Sequence, residues 1–230
     1  MKKAFIFDLD GCLVDSETIS LAAIADEMRD LGAEDALTDD FGRALLGLKM
    51  QRIAEWAEEQ AGRPLGDFAT RVDARVTERF PVDLRPIDGA HALLEHLASD
   101  DVSRAVATGS SVSRMKLALD VVDIRRFFED AVVSADQVPN GKPAPDIFLH
   151  AADLVRRPAT ECEVLEDSPH GVAGARAAGM TAIGFVGGGH LEGRRDDHAR
   201  TLLDAGCVTV VRKLRELEDL ARAGDPLLSN

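Results

Sequence analysis

Two aspartates close a short apolar run near the start of the chain, in Phe5-Ile6-Phe7-Asp8-Leu9-Asp10-Gly11. Acids at i and i+2 on the end of a buried strand are costly to keep charged unless a cation lies between them. Their oxygen donors and short stems suit a hard ion such as Mg²⁺, and the glycine permits a sharp turn. Taken alone, the same residues also describe a solvated strand end with an Asx-turn. Three later segments repeat the design of an apolar run followed by reactive groups or a rigid loop. In Ala105-Val106-Ala107-Thr108-Gly109-Ser110-Ser111, a hydroxyl and N–H groups stand where a helix N-terminus can help them hold phosphate oxygens, although an ordinary N-cap reads the same way. In Gly141-Lys142-Pro143-Ala144-Pro145, two prolines stiffen the loop, so the Lys142 ammonium is held in one place and can offset phosphate and carboxylate charge. In Glu163-Val164-Leu165-Glu166-Asp167-Ser168, Asp167 offers a further metal oxygen and Glu166 an acceptor that orients a ligating water. Two solvated acids are the plainer reading of that last segment.

The elements that must position these residues follow from the pattern. From residue 86 onward, Val/Ile/Phe-rich runs alternate with amphipathic segments, which predicts an α/β fold, a parallel sheet with crossover helices. Strands are expected at 4–7, 104–108, 131–134, 163–166, 181–185 and 208–211. Helices are expected at 90–98, 112–119, 145–154, 171–178, 199–205 and 213–223. Residues 16–85 have helical periodicity instead, with Ile19, Ala22, Ala23, Met28 and Leu31 able to share a face. That predicts an all-helical cap domain inserted after the first strand of a Rossmann-like core formed by 1–15 and 86–230, with Pro81, Pro86 and Gly89 closing the return. In such a sheet the strand C-termini gather at one edge, which brings acid pair, hydroxyl, lysine and acid together. The Gly187-Gly188-Gly189 run reads as a short flexible loop, because it lacks the spacing of a dinucleotide fingerprint.

As a set, the four motifs resemble those of the haloacid dehalogenase-like hydrolase superfamily over nearly the whole chain. The helical insert and the phrases Asp8-Leu9-Asp10-Gly11, Gly141-Lys142-Pro143 and Leu165-Glu166-Asp167-Ser168 are similar to its β-phosphoglucomutase and sugar-phosphate phosphatase branch. The resemblance implies Asp8 as the nucleophile that forms an aspartyl-phosphate and Asp10 as general acid and base. It implies Mg²⁺ held by Asp8, Asp167 and the main-chain carbonyl of Asp10, with Thr108, Gly109, Ser110 and Lys142 on the phosphoryl oxygens. Lys49 and Arg52 in the insert fall where this branch keeps a residue that grips the substrate, and solvated helix charges are the alternative. The insert is then a lid over the site. The Asp15-Ser16-Glu17 opening is similar to phosphatases of sugars or sugar acids such as 6-phosphogluconate. Mutases of this branch carry a histidine near the start of the insert, and Asp15-Ser16-Glu17-Thr18-Ile19-Ser20 has none. That departure favours hydrolysis over a phosphomutase, and the presence of a nucleophile speaks against a module that only binds phosphate.

The resemblance implies a small phosphorylated metabolite as the partner, and composition argues against other classes. With 230 residues, 45% hydrophobic and 30% charged, the chain has the makings of a globular enzyme. A net charge of −14 argues against a nucleic-acid surface, since the Arg pairs are short and scattered. Neither an apolar run long enough for a membrane span nor a signal-peptide core is expected. Three cysteines without CxxC spacing suggest a reducing cytoplasm, with Cys12 as a small apolar filler. The sequence is compatible with a monomer and does not fix the oligomeric state. Serine-hydrolase and zinc-protease readings fail for want of GxSxG, HExxH or HxxEH. His150, His170, His190 and His198 stand isolated.

Overall fold

Every strand of the sheet is parallel and nearly every strand residue is buried, because helices cover both faces. The computed structural model describes residues 3–38, 41–45 and 50–223, apart from the side chains of 43, 44 and 219–223. The strands are β1 (Ala4–Phe7), β2 (Arg104–Thr108), β3 (Val132–Ser134), β4 (Cys162–Glu166), β5 (Thr181–Phe185) and β6 (Thr209–Val211), in the spatial order β3-β2-β1-β4-β5-β6. Phe7 lies in register with Val106 on one side and Leu165 on the other. The chain winds outward from β1 to β2 and β3, then returns across it to β4, so the order reverses between β1 and β4. Ligands of open α/β sheets bind in the crevice that such a reversal leaves at the strand C-termini.

The chain divides into two compact units, Met1–Asp15 with Arg85–Asn230, and Ser16–Leu84. Around the sheet of the first unit run α5 (Ala90–Ser99), α6 (Val112–Val121), α7 (Asp146–Leu154), α8 (Pro169–Ala177), α9 (Arg195–Ala205) and α10 (Leu214–Ala223), joined by short 3-10 turns. Two of these helices begin earlier than the apolar pattern predicts. In α8, Ser168 caps the start by accepting from the Gly171 N–H, and Pro169 occupies the first turn, where a missing N–H costs nothing. In α9, the opening turn Arg195-Asp196-Asp197 carries no apolar residue to announce it, yet its two acids suit the positive end of the helix dipole.

The second unit contains α1 (Ser16–Asp30), α2 (Phe41–Leu45), α3 (Met50–Ala61) and α4 (Phe68–Asp83). Buried Ile19, Ala23 and Met28 of α1 and Phe68, Val72, Val76 and Phe80 of α4 form its apolar centre. Beside it the carboxylate of Glu27, 2% exposed, accepts from Arg71 at 2.5 Å and Arg75 at 2.8 Å, while Asp26 pairs with Arg79. Pro81 does not end α4 as its sequence suggests. The helix gives up the bond to the carbonyl of Thr77 and closes its last turn from Leu84 N to Phe80 O at 3.1 Å. Burial of Phe80 and Leu84 explains why packing overrides the local breaker. Among the described residues no helix is long and apolar enough to cross a membrane.

Candidate active site

At the switch between β1 and β4, Asp8 leaves the end of β1 with its N–H donating to the carbonyl of Leu165 at 2.9 Å. Its carboxylate meets Lys142, whose ammonium donates to Asp8 Oδ1 and Glu166 Oε1, each at 2.5 Å. Lys142 comes from the loop before α7, where the Lys142–Pro143 peptide is cis, and its Nζ lies 5.2 Å from the ring centre of Phe148. Burial works against its charge, but the carboxylates of Asp8 and Glu166 outweigh burial and hold the ammonium well above its ordinary range. Lys142 is therefore a fixed positive charge.

Glu166 is fully buried and accepts from Ser168 N–H at 3.1 Å and Ser168 Oγ at 3.2 Å as well as from Lys142. It shares its space with the first turn of α8: a Cβ on Gly171 would fall 1.9 Å from Glu166 Cδ. Gly11 plays a similar part for the neighbouring acid. It has φ +78°, a left-handed conformation that favours glycine, and a Cβ there would fall 2.0 Å from Asp167 Oδ2.

Asp10 faces the β2 side. Thr108 Oγ1 and Ser110 Oγ donate to its Oδ2 at 3.0 and 2.7 Å, and the guanidinium of Arg114 stands 3.7 Å from Oδ1. Ser110 N–H donates to Thr108 Oγ1 at 3.0 Å, and Ser134 Oγ donates to Ser110 O at 2.6 Å, so the turn after β2 is tied down. Gly109 faces open space. The Thr108 hydroxyl expected to hold phosphate thus also holds the acid/base candidate, and Ser110 Oγ and Arg114 of α6 join it.

Four carboxylates, Asp8, Asp10, Glu166 and Asp167, gather against the cations Lys142 and Arg114. Burial raises the carboxyls of both Asp8 and Asp167 well above the usual range. For Asp8, Lys142 opposes the rise while Glu166, Asp167 and Asp10 add to it; for Asp167, Glu166 and Asp10 add to it. A cation is the group such a set lacks. Oxygens of Asp8 and Asp167 lie with Cys12 Sγ within 4.8 Å of one another, a spacing that one ion can bridge. Burial and Asp167 push the Cys12 thiol up, so it stays protonated and the oxygens are the donors that fit a hard cation.

The fold thus brings Asp8, Asp10, Thr108, Gly109, Ser110, Lys142, Glu166 and Asp167 to one sheet edge. Arg52 lies on α3 of the helical unit, with its side chain 70% exposed, and pairs with Glu55 one turn on. Lys49 lies outside the described residues. Arg114, His190 and His198 are residues that sequence reasoning missed. His190 Nε2 lies 3.4 Å from Asp167 Oδ2, and His198 Nε2 lies 2.6 Å from Asp167 O. The glycine run before His190 is not a loose loop. A Cβ on Gly187 would meet Phe185 at 2.3 Å, and one on Gly188 would meet His190 at 2.7 Å, so packing demands glycine there.

Comparison with known proteins agrees with this fold. The profile of the haloacid dehalogenase-like hydrolases matches residues 2–179. A probable pseudouridine-5′-phosphatase of Drosophila melanogaster is 32% identical, over 86% of this chain and 87% of its own. A phosphorylated carbohydrates phosphatase of Thermotoga maritima is 30% identical, over 91% and 94%. Among solved structures, a haloacid dehalogenase-like protein of unknown function from Agrobacterium tumefaciens superimposes with a TM-score of 0.82 at 31% identity, over 97% of this chain and 99% of that one. Sequence, sheet order and site chemistry converge, and the chain belongs to the haloacid dehalogenase-like hydrolases.

Proposed function

We propose that this enzyme hydrolyses a phosphate monoester of a small metabolite, a sugar or sugar-acid phosphate, with Asp8 as nucleophile. The observation that carries the reading is the Asp8 carboxylate at the sheet's switch point, joined at 2.5 Å to a buried Lys142 that Glu166 anchors from the other side. Relatives named for pseudouridine 5′-phosphate and phosphorylated carbohydrates support the substrate class.

In the first step an Asp8 oxygen attacks phosphorus, the bond from phosphorus to the ester oxygen breaks, and Asp10 gives its proton to the leaving alkoxide. In the second, Asp10 takes a proton from water as that water attacks the aspartyl-phosphate, which returns Asp8 and releases inorganic phosphate. Asp10 ends protonated, ready for the next ester. Lys142, the Thr108 hydroxyl and the N–H groups of Gly109 and Ser110 hold the three equatorial oxygens, where charge spreads during transfer. Asp8, Asp167 and the main-chain carbonyl of Asp10 are the residues that would hold Mg²⁺, and when bound it supplies charge neutralisation at the phosphoryl group. Thr108 has two duties in this scheme, since its hydroxyl must exchange the Asp10 carboxylate for a phosphate oxygen, and the Ser110 N–H must leave Thr108 Oγ1 to do the same.

The unit Ser16–Leu84 serves as the cap, with Arg52 and Lys49 reading the distal end of the substrate. Three buried thiols, Cys12, Cys162 and Cys207, accord with a cytoplasmic setting. The test is phosphate release from a panel of phosphorylated metabolites, ranked by kcat/KM, with Asp8→Asn and Arg52→Ala alongside the wild type. Asp8→Asn abolishes turnover on every substrate, and appreciable turnover by that variant overturns the nucleophile assignment. Arg52→Ala reorders the panel, and one common factor across all substrates removes Arg52 from specificity.

A further inference from the structure

We propose that His190 and His198 are positioning residues for Asp167, which together fix this acid for cation binding. The inference rests on the reading that Asp167 is a cation ligand. Both histidines lie beyond residue 179, where the family profile ends, and they reach Asp167 from the connection after β5 and from α9.

His198 secures the main chain. Its Nε2 lies 2.6 Å from the Asp167 carbonyl oxygen, and a carbonyl only accepts, so Nε2 carries the proton and donates. His190 secures the side chain, with Nε2 at 3.4 Å from Asp167 Oδ2, and their side chains are only 2% and 10% exposed. The ring of His190 has little room to be elsewhere. A Cβ on Gly188 would come within 2.7 Å of its Cε1 and Nδ1, and one on Gly11 would come within 3.0 Å of Cε1 and 2.0 Å of Asp167 Oδ2. Ring and carboxylate are therefore packed against the Gly11 turn, which directly follows the acid pair. The histidine's own loop is held too, since Arg194 donates to His190 O at 3.4 Å and Leu191 N–H donates to Gly188 O at 3.2 Å.

The physical consequence concerns rotamer freedom. An aspartate clasped at both its carbonyl and its carboxylate presents its oxygens in one orientation, so a cation need not order it on binding. Removing such an outer partner typically weakens metal affinity by about 10–100-fold. A merely structural histidine, whose loss loosens the fold, would leave the affinity of the folded protein alone.

Titration of the full chain with Mn²⁺ or Mg²⁺ by calorimetry, without substrate, reads this directly, with urea unfolding of each variant as the control for folding. Asp167→Asn abolishes binding. His190→Leu and His198→Leu weaken it by about 10–100-fold, whereas His190→Gln, whose amide nitrogen takes the place of Nε2, stays within about threefold of the wild type. Should a leucine variant fail to fold, His190→Asn serves instead, because its shorter amide cannot reach Asp167 and weakens binding where Gln does not. Leucine variants that fold and bind as the wild type does, or Gln and Asn variants that both bind as it does, overturn the proposal. Undiminished binding by Asp167→Asn overturns the cation reading itself, a separate result.

Discussion

Gly171→Ala is a one-carbon change that should disable the site from behind. The added Cβ would lie 1.9 Å from both Cδ and Oε1 of Glu166 and 2.2 Å from Oε2. Carbon atoms need about 3.5–4.0 Å, so the carboxylate, which is fully buried, must retreat by about 1.5 Å or more. Retreat breaks its 2.5 Å contact with Lys142 and the contacts at 3.1 and 3.2 Å with Ser168. Overpacking costs about 1–3 kcal/mol, and a buried charge that loses a partner costs about 3–5 kcal/mol. Because Asp8 still pairs with Lys142, a net loss of about 3 kcal/mol is expected, roughly 6–12 °C in Tm for a chain of this size. With Lys142 tethered from one side only, kcat should fall about 100-fold, the scale of a 1 Å misplacement. Urea unfolding and steady-state kinetics measure both. The decisive arm is the Glu166→Ala background, in which the clashing atoms are gone. There Gly171→Ala should stabilise by about 0.5–1 kcal/mol, the ordinary preference of a helix for alanine over glycine. An equal cost in both backgrounds, or a cost under about 1 kcal/mol in the wild-type background, refutes the reasoning.

Chelation by EDTA should abolish turnover and Mg²⁺ should restore it, whereas Ca²⁺, which takes longer bonds and looser shells, restores little; undiminished rates in EDTA would remove the metal from the reaction. Glu27→Ala should destabilise the helical unit by about 2 kcal/mol, below the full cost of breaking a buried pair because Arg71 and Arg75 remain about a third exposed and keep some hydration; urea unfolding followed by the Trp56 signal tests it. The hydrogen bond from Arg79 holds the Asp26 carboxyl below its usual range. A depressed folded value means a contribution that is complete above the unfolded value, about 3.9, and lost as pH falls through the folded one. Stability should therefore decline below about pH 4, and Asp26→Asn should flatten that slope in urea midpoints measured from pH 6 to 3.

The sheet was legible because its strands are buried on both faces and so appear as unbroken apolar runs, Phe5-Ile6-Phe7 and Val164-Leu165 being examples. The acids that end those runs were legible for the same reason, since charge stands out against an apolar background. What stayed hidden depends on contacts between distant parts of the chain. His190 and His198 look isolated because the residue they clasp lies more than twenty positions upstream, and no local period links a histidine to an aspartate just past the end of a strand. Arg114 reads as a surface charge until α6 brings it to Asp10, which follows β1. Gly171 and Gly188 read as loop or helix punctuation, because an absent Cβ carries no trace of the side chain that fills its place. Pro81 misleads in the other direction, as a local breaker that the burial of Phe80 and Leu84 overrules.

One small feature has the longest reach, the neck where the helical insert leaves and rejoins the core. Asp15 N–H donates to Arg85 O at 3.0 Å, Ile87 N–H donates to Leu13 O at 2.9 Å, and Val14 bridges Pro86 in antiparallel fashion. These bonds all belong to the core, so its two chain ends are stitched together whatever lies between them. The entropy of closing that loop grows only with the logarithm of its length, about 0.6 kcal/mol for each doubling. A longer, shorter or altogether different insert therefore perturbs the foundation very little. Selection can exchange the insert while inheriting the core unaltered, and a laboratory graft at residues 15 and 85 has the same freedom.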